Sequence, residues 1–83
     1  MYTKQEIEDK LREIVSSHLG CEPIEIVPSA EFLNDLGADS LDFVEMVFQV
    51  EIHFKIQIPD EVAEKIITFG NLVEYVTEAV KHE

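Results

Sequence analysis

Hydrophobic residues recur at helical spacing in three stretches of the chain, and each stretch predicts a main helix. The first helix is expected over about Lys4–His18, because Thr3 opens a capping-box pattern and Gly20 suits the left-handed turn after a helix end. The second should start at Asp39 or Ser40 and run to about residue 53. The last helix shows one apolar face, and Thr68 is its expected N-cap.

The segment 19–39, between the first two helices, is apolar but cannot form a long helix. Pro23, Pro28 and Gly37 interrupt it. A structureless loop of this length is unusual in a small domain, so we expect it to wrap the helices with its apolar side chains turned inward. These are Ile24, Ile26, Val27, Phe32, Leu33 and Leu36. Ser29 is expected to cap a short helical turn over Ala30–Leu33.

Residues 54–58 alternate like a strand, but no second strand is available to pair with them, so an extended connector is predicted. Pro59 suits the first turn of a short third helix that should end near Lys65 or Ile66. The predicted fold is therefore all-α: a four-helix bundle with three main helices, one short third helix and a long loop between helices 1 and 2. A length of 83 residues allows one domain, residues 1–83.

The second helix has two apolar stripes, whereas a helix in a small bundle needs only one. One stripe comprises Phe43, Met46, Val47, Val50 and Phe54, and the other comprises Leu41, Val44, Phe48 and Ile52. Either the helix is central and buried on all sides, or the second stripe meets a partner. Asp42, Glu45 and Glu51 lie around the second stripe, which suits a docking surface with apolar anchors and charged guides.

The charge distribution narrows the classes of partner. The formal net charge is −12, and no Lys or Arg lies between Glu13 and Phe54. Such a field repels nucleic acid and anionic membranes, and it attracts basic protein surfaces. No secretory signal or membrane span is recognisable. We expect a cytoplasmic protein, or one in an organelle matrix if a transit peptide was removed; the lone Cys21 fits a reducing compartment and is expected to pack rather than react.

The motif Leu36-Gly37-Ala38-Asp39-Ser40-Leu41-Asp42 places a serine at the expected start of the second helix. It is not a Gly-x-Ser-x-Gly elbow, and no motif places a histidine as a base, so a hydrolase is not indicated. The nearby acids fail the spacing of an EF-hand, and no Cys/His pattern supports zinc. Ser40 is then a simple helix cap, or it is the attachment point for a phosphate that the helix N-terminus would stabilise.

This heptapeptide resembles the signature of acyl carrier proteins, and the similarity covers essentially the whole chain, including Ile58-Pro59-Asp60-Glu61. The resemblance implies that Ser40 carries 4′-phosphopantetheine, whose thiol holds acyl groups as thioesters for fatty-acid or related biosynthesis. It implies no catalysis by the chain. A monomer is expected. Its implied partners are a phosphopantetheinyl transferase and acyl-transferring or ketoacyl synthase-type enzymes with basic docking patches.

The resemblance also assigns roles along the second helix. It implies that partners dock on its start and its second stripe, through Asp39, Leu41, Asp42, Val44, Glu45, Phe48, Glu51 and Ile52. It implies an acyl pocket between the second and third helices, with Phe43, Val47 and Ile66 in its wall.

Two departures from the family pattern suggest a specialised carrier. Phe43 is bulkier than the usual residue and could reshape the acyl pocket, and Gln49–His53 holds a single acid where the family tends to have a run. Other readings stay open: a carrier for a polyketide or other secondary-metabolite pathway, or an unmodified helical interaction module that uses only the docking face.

Overall fold

The computed structural model describes residues 2–81, in which four α-helices are joined by irregular segments and one 3-10 turn. The helices are α1 (Lys4–Leu19), α2 (Ser40–Phe54), α3 (Asp60–Ala63) and α4 (Phe69–Lys81), and the 3-10 turn is Pro23–Glu25. Extended pairing in this part of the chain is limited to one isolated bridge between Glu31 and Thr68. The predicted all-α bundle is confirmed. Within residues 2–81, every helix is too short or too polar to cross a bilayer.

The ends of α1 and α2 follow from local sequence. The Thr3 hydroxyl accepts a bond from the Glu6 N–H, and the Glu6 carboxylate accepts one from the Thr3 N–H, which completes the predicted capping box. Gly20 closes α1 with a φ of 70°. Asp39 caps α2, and Lys55 ends it in the left-handed conformation. Both helices therefore lie within a residue of their predicted bounds.

The hydrophobic core lies where α1 packs against α2 and α4. Each of these helices contributes its apolar face, and the largest fully buried side chains include Leu11, Met46 and Leu72. No polar or charged residue in the described range is buried. The core is thus purely apolar, and every group able to do chemistry lies at or near the surface.

The third helix is shorter than predicted. It ends at Ala63, and Pro59 is its N-cap rather than part of its first turn. The backbone still coils onward: the Lys65 N–H donates to the Val62 carbonyl and the Ile66 N–H to the Ala63 carbonyl. Such three-residue spacing is tighter than α-helical geometry, so the coiled segment reaches the expected end but only its first turn is α-helix.

The prediction that the apolar loop residues all turn inward was half wrong. Ile26, Phe32 and Leu36 are buried, whereas Ile24, Val27 and Leu33 are exposed, Ile24 by 86%. The expected Ser29-capped turn over Ala30–Leu33 is also absent from the described structure, and a turn follows at 32–35 instead.

Contacts with the start of α4 explain why no helical turn forms over Ala30–Leu33. The Ala30 carbonyl accepts a bond from the Phe69 N–H, and the Phe32 N–H donates to the Ile67 carbonyl. These bonds hold residues 30–32 extended beside 67–69, so a helical turn cannot begin at Ala30. Side chains along this extended stretch then alternate between the core and solvent.

Candidate functional site

Ser40 is the first residue of α2 and is exposed to solvent. The backbone before it is held on both sides of a sharp turn at Gly37, whose φ is 73°. Ala38 then enters the core, and its N–H donates to the Phe32 carbonyl at 2.9 Å. A fixed loop therefore presents the Ser40 hydroxyl outward at the helix start.

Asp39, rather than Ser40, caps the helix. The Asp39 carboxylate accepts a bond from the Asp42 N–H at 2.8 Å, and the Asp42 carboxylate accepts one from the Asp39 N–H at 3.3 Å. Within residues 2–81, the N–H groups of Ser40 and Leu41 have no hydrogen-bond partner, and neither does the Ser40 hydroxyl. Capping does not occupy this hydroxyl, and two backbone donors remain beside it.

These donors fit a phosphate that is bonded to Ser40. Free N–H groups and the positive end of the helix dipole stabilise phosphate oxygens. The residues that flank Ser40 in sequence supply no cation, since Asp39 and Asp42 are both acidic and the nearest Lys or Arg residues along the chain are Arg12 and Lys55. A site of this kind would hold free phosphate poorly, so it suits a covalently attached phosphodiester.

A cleft of about 660 Å³ opens beside Ser40. Its walls are the loop at 31–34, the first turn of α2 and the segment 60–67. Of the three residues expected in an acyl pocket, Phe43 and Ile66 line this cleft, whereas Val47 does not line it and has only 6% of its surface exposed. Sequence reasoning did not assign Phe32, Leu33 or Ile67 to the site, although the apolar character of the first two was noted.

The second stripe of α2 is exposed along its whole length, from 45% at Val44 to 68% at Ile52. The first stripe is buried except for the half-buried Phe43. This contrast excludes burial on all sides, so α2 carries an unpartnered apolar surface. We call it the α2 stripe; it comprises Leu41, Val44, Phe48 and Ile52.

The acidic residues around the α2 stripe differ in their surroundings. Asp39 and Asp42 are tied into the helix cap. Glu51 is half-buried, and its Oε2 accepts a 2.6 Å bond from the Ile58 N–H. Glu45 is exposed and has no partner among residues 2–81. Glu45 is thus the most available of the four expected guiding charges, and Glu51 also holds the connector.

Other chemistry is not supported by the described residues. Among residues 2–81, His, Cys, Asp and Glu side chains form no group of three or more that could hold a metal ion. Burial raises the pKa of the Cys21 thiol, and the negative charges of Glu25 and Glu22 raise it further. A thiol with a raised pKa is a poor nucleophile at neutral pH, and Cys21 is partly buried against the hydrophobic core.

Comparison with known proteins agrees with this geometry. Residues 9–76 match the family described as the phosphopantetheine attachment site. The fold is also similar to that of the acyl carrier protein from Enterococcus faecalis, which has been characterised for its high thermal stability. The two chains share 35% identity with a TM-score of 0.81, over 94% of this chain and 99% of that one.

The fold and the match over most of its length define a phosphopantetheine-bearing protein. This chain belongs to the acyl carrier protein family. It is therefore a carrier and not an enzyme, and its cofactor is covalent 4′-phosphopantetheine.

Proposed function

We propose that Ser40 is the residue that bears the phosphopantetheine arm. This proposal rests on one observation: the Ser40 hydroxyl is exposed, takes no part in capping the helix, and lies beside two free N–H groups at the start of a 15-residue helix. The arm supplies a terminal thiol, on which acyl groups are held as thioesters. The chain contributes a rigid attachment point, donors for the phosphodiester and an adjacent apolar cleft.

The attachment reaction needs an external enzyme, because the carboxylates of Asp39 and Asp42 are engaged by backbone N–H groups and no described side chain is hydrogen-bonded to the Ser40 hydroxyl to take its proton. A transferase would take the serine proton as Oγ attacks the phosphorus that bears the pantetheine part of coenzyme A. The Oγ–P bond forms, the pyrophosphate bond breaks, and the nucleotide bisphosphate leaves. Exposure of Ser40 at the start of α2, directly after a fixed loop, fits a residue that is presented to another protein.

We propose that the α2 stripe and the acidic residues around it form the docking surface for the transferase and for acyl-transferring enzymes. Exposed apolar side chains supply contact area, and carboxylates such as that of Glu45 guide basic patches on the partner. The stripe reaches from Leu41, beside the attachment point, to Ile52 near the end of the helix. A partner bound along it would lie next to Ser40.

For the pathway, we propose fatty-acid or related acyl biosynthesis, and a specialised carrier in preference to a housekeeping one. Two features support specialisation: the bulky Phe43 in the cleft wall, and an exposed Ile52 beside His53 where the family tends to have acids. Specialisation is tested by measuring how fast a ketoacyl synthase of general fatty-acid synthesis elongates acyl groups carried by this protein. Slow elongation is expected, and full-rate elongation would contradict specialisation.

Intact mass spectrometry tests the attachment. We expect incubation with coenzyme A and a phosphopantetheinyl transferase to add one arm, and Ser40→Ala to abolish the gain. Ser29→Ala is the matched control, since Ser29 is exposed in the loop and should leave the gain intact. If several transferases produce no gain, the chain is an unmodified helical module that uses only the α2 stripe.

A further inference from the structure

We infer that Phe43 closes the route from the cleft beside Ser40 into the hydrophobic core, and so determines which acyl groups this carrier can shelter. The inference rests on the proposed attachment at Ser40. It concerns the location of the cargo: an acyl group is held in the surface cleft, against the loop, rather than along the interior of α2.

The position of Phe43 on α2 supports this inference. Ser40, Phe43 and Val47 share one face in successive turns, so Phe43 lies between the attachment point and Val47 along that face. Helical side chains lean toward the N-terminus, which carries the Phe43 ring toward Ser40. The ring lines the cleft and is half-buried, whereas Val47 is buried and does not line it.

The loop completes the barrier from the opposite side. The Phe32 ring lies 5.4 Å from the Phe43 ring, tilted by 57°, and Phe32 is 1% exposed. Ring pairs in this range attract one another beyond the effect of burial alone. Phe32 is also fixed through its backbone, because its N–H donates to the Ile67 carbonyl and its carbonyl accepts from the Ala38 N–H. The inner end of the cleft is therefore formed by two packed rings, that of Phe32 on the anchored loop and that of Phe43 on α2.

The space available to cargo then lies along the outer wall of the cleft. Leu33, Val44 and Ile67 line that wall and are about half exposed, so they offer apolar contact without enclosing a chain. The first few methylene groups of an acyl chain can be covered there. Methylene groups that reach past this wall stay in water unless the chain displaces the Phe43 ring.

A chain-length series tests this directly. The protein is loaded from acetyl-, butanoyl-, hexanoyl- and octanoyl-coenzyme A by a transferase, and methyl NMR shifts are compared with those of the form bearing the unacylated arm. We expect the shifts of Val44, Ile66 and Ile67 to change with short acyl groups and then stop changing, while the methyl signals of Val47 stay unchanged throughout.

Phe43→Ala should open the route to the core. Octanoyl loading of this variant is then expected to shift the Val47 methyl signals, and the melting temperature should keep rising with chain length where the wild type levels off. Each methylene that becomes fully buried would add about 3–6 °C. Phe43→Leu serves as a second variant if the alanine variant does not fold, with a smaller effect in the same direction.

Ile24→Ala is the control, since Ile24 is exposed on the 3-10 turn and lies outside the cleft; it should give the wild-type profile. The inference would be overturned if octanoyl loading changed the Val47 methyl signals of the wild type as much as those of the Phe43→Ala variant. It would also be overturned if both Phe43 variants matched the wild type in their Val47 methyl shifts and in the dependence of the melting temperature on chain length. A failure to load at all would be a failure of the proposed attachment at Ser40, which mass spectrometry separates from either result.

Discussion

At the scale of single residues, Lys55 occupies a conformation that suits glycine. It ends α2 with a φ of 57°, the only positive φ at a non-glycine residue in the described range. Gly20 occupies the equivalent position after α1 with a φ of 70°. A side chain at such a position crowds the backbone, and glycine avoids this cost.

Lys55→Gly is therefore expected to raise the free energy of unfolding by about 0.5–1 kcal/mol, after allowance for the greater freedom of glycine in the unfolded chain. Gly20→Ala is the matched control: no atom within 4 Å would meet the added Cβ, so its expected loss comes from the backbone alone. Urea unfolding at fixed ionic strength measures both. A less stable Lys55→Gly variant would contradict the account.

The Cys21 thiol gives a prediction about pH. Because burial raises its pKa in the folded state, folding favours the protonated thiol. The stabilisation is complete below the pKa of the unfolded chain and is lost as the pH rises through the higher pKa of the folded state. We expect alkylation of Cys21 at pH 8 to be slower in the folded protein than in urea, and Cys21→Ala to reduce the alkaline loss of stability. Equal alkylation rates would count against a raised pKa.

At the scale of elements, the connector between α2 and α3 is held by a few bonds. The Glu51 carboxylate accepts the Ile58 N–H, and the Tyr75 hydroxyl donates to the Gln57 carbonyl at 2.8 Å. Ile58 is buried beneath these contacts. Since α3 has only four α-helical residues, its position depends on the connector that precedes it.

Glu51→Ala should destabilise the protein by about 1–2 kcal/mol, because it removes a charged acceptor from a partly buried N–H. We expect faster hydrogen exchange at the Ile58 amide and in α3. Glu45→Ala removes the same charge from α2 at an exposed position without a partner, and it should leave this exchange unchanged. Similar effects from both variants would mean that net charge, rather than this bond, is responsible.

Local signals predicted the main helices well, and non-local contacts explain most of the rest. Thr3, Gly20 and Asp39 define helix ends through bonds within a few residues, so their effect can be read directly from the sequence. The loop at 30–32 depends on bonds to residues 67–69, which no local pattern reveals. The same contacts build the cleft wall, so no local pattern could assign Leu33 and Ile67 to it.

At the scale of the whole molecule, repulsion among acidic residues opposes folding. The Cα extents are 32 × 26 × 19 Å, and the screening length is about 30 Å at 0.01 M salt but about 10 Å at 0.1 M. At low salt each charge therefore acts across the entire molecule, and the net charge of −12 is felt in full.

We expect the melting temperature to rise as sodium chloride increases from 10 to about 150 mM, and to rise further with millimolar divalent cations. Glu45→Lys changes an exposed acid to a base and should flatten this dependence. Thermal unfolding followed by circular dichroism measures both proteins, and a melting temperature independent of salt would contradict the role of repulsion.

The hydrogen bonds between the long loop and the start of α4 also have a consequence for synthesis on the ribosome. The Gly70 N–H donates to the Pro28 carbonyl, and an added Cβ at Gly70 would lie 2.9 Å from that oxygen. Together with the contacts of residues 30–32, this bond joins the middle of the chain to its last helix. Residues 28–32 are translated well before residues 67–70, so the bonds between these two segments can form only after the start of α4 has emerged. A nascent chain that stops short of α4 would therefore carry the proposed attachment site beside a loop that still lacks these bonds.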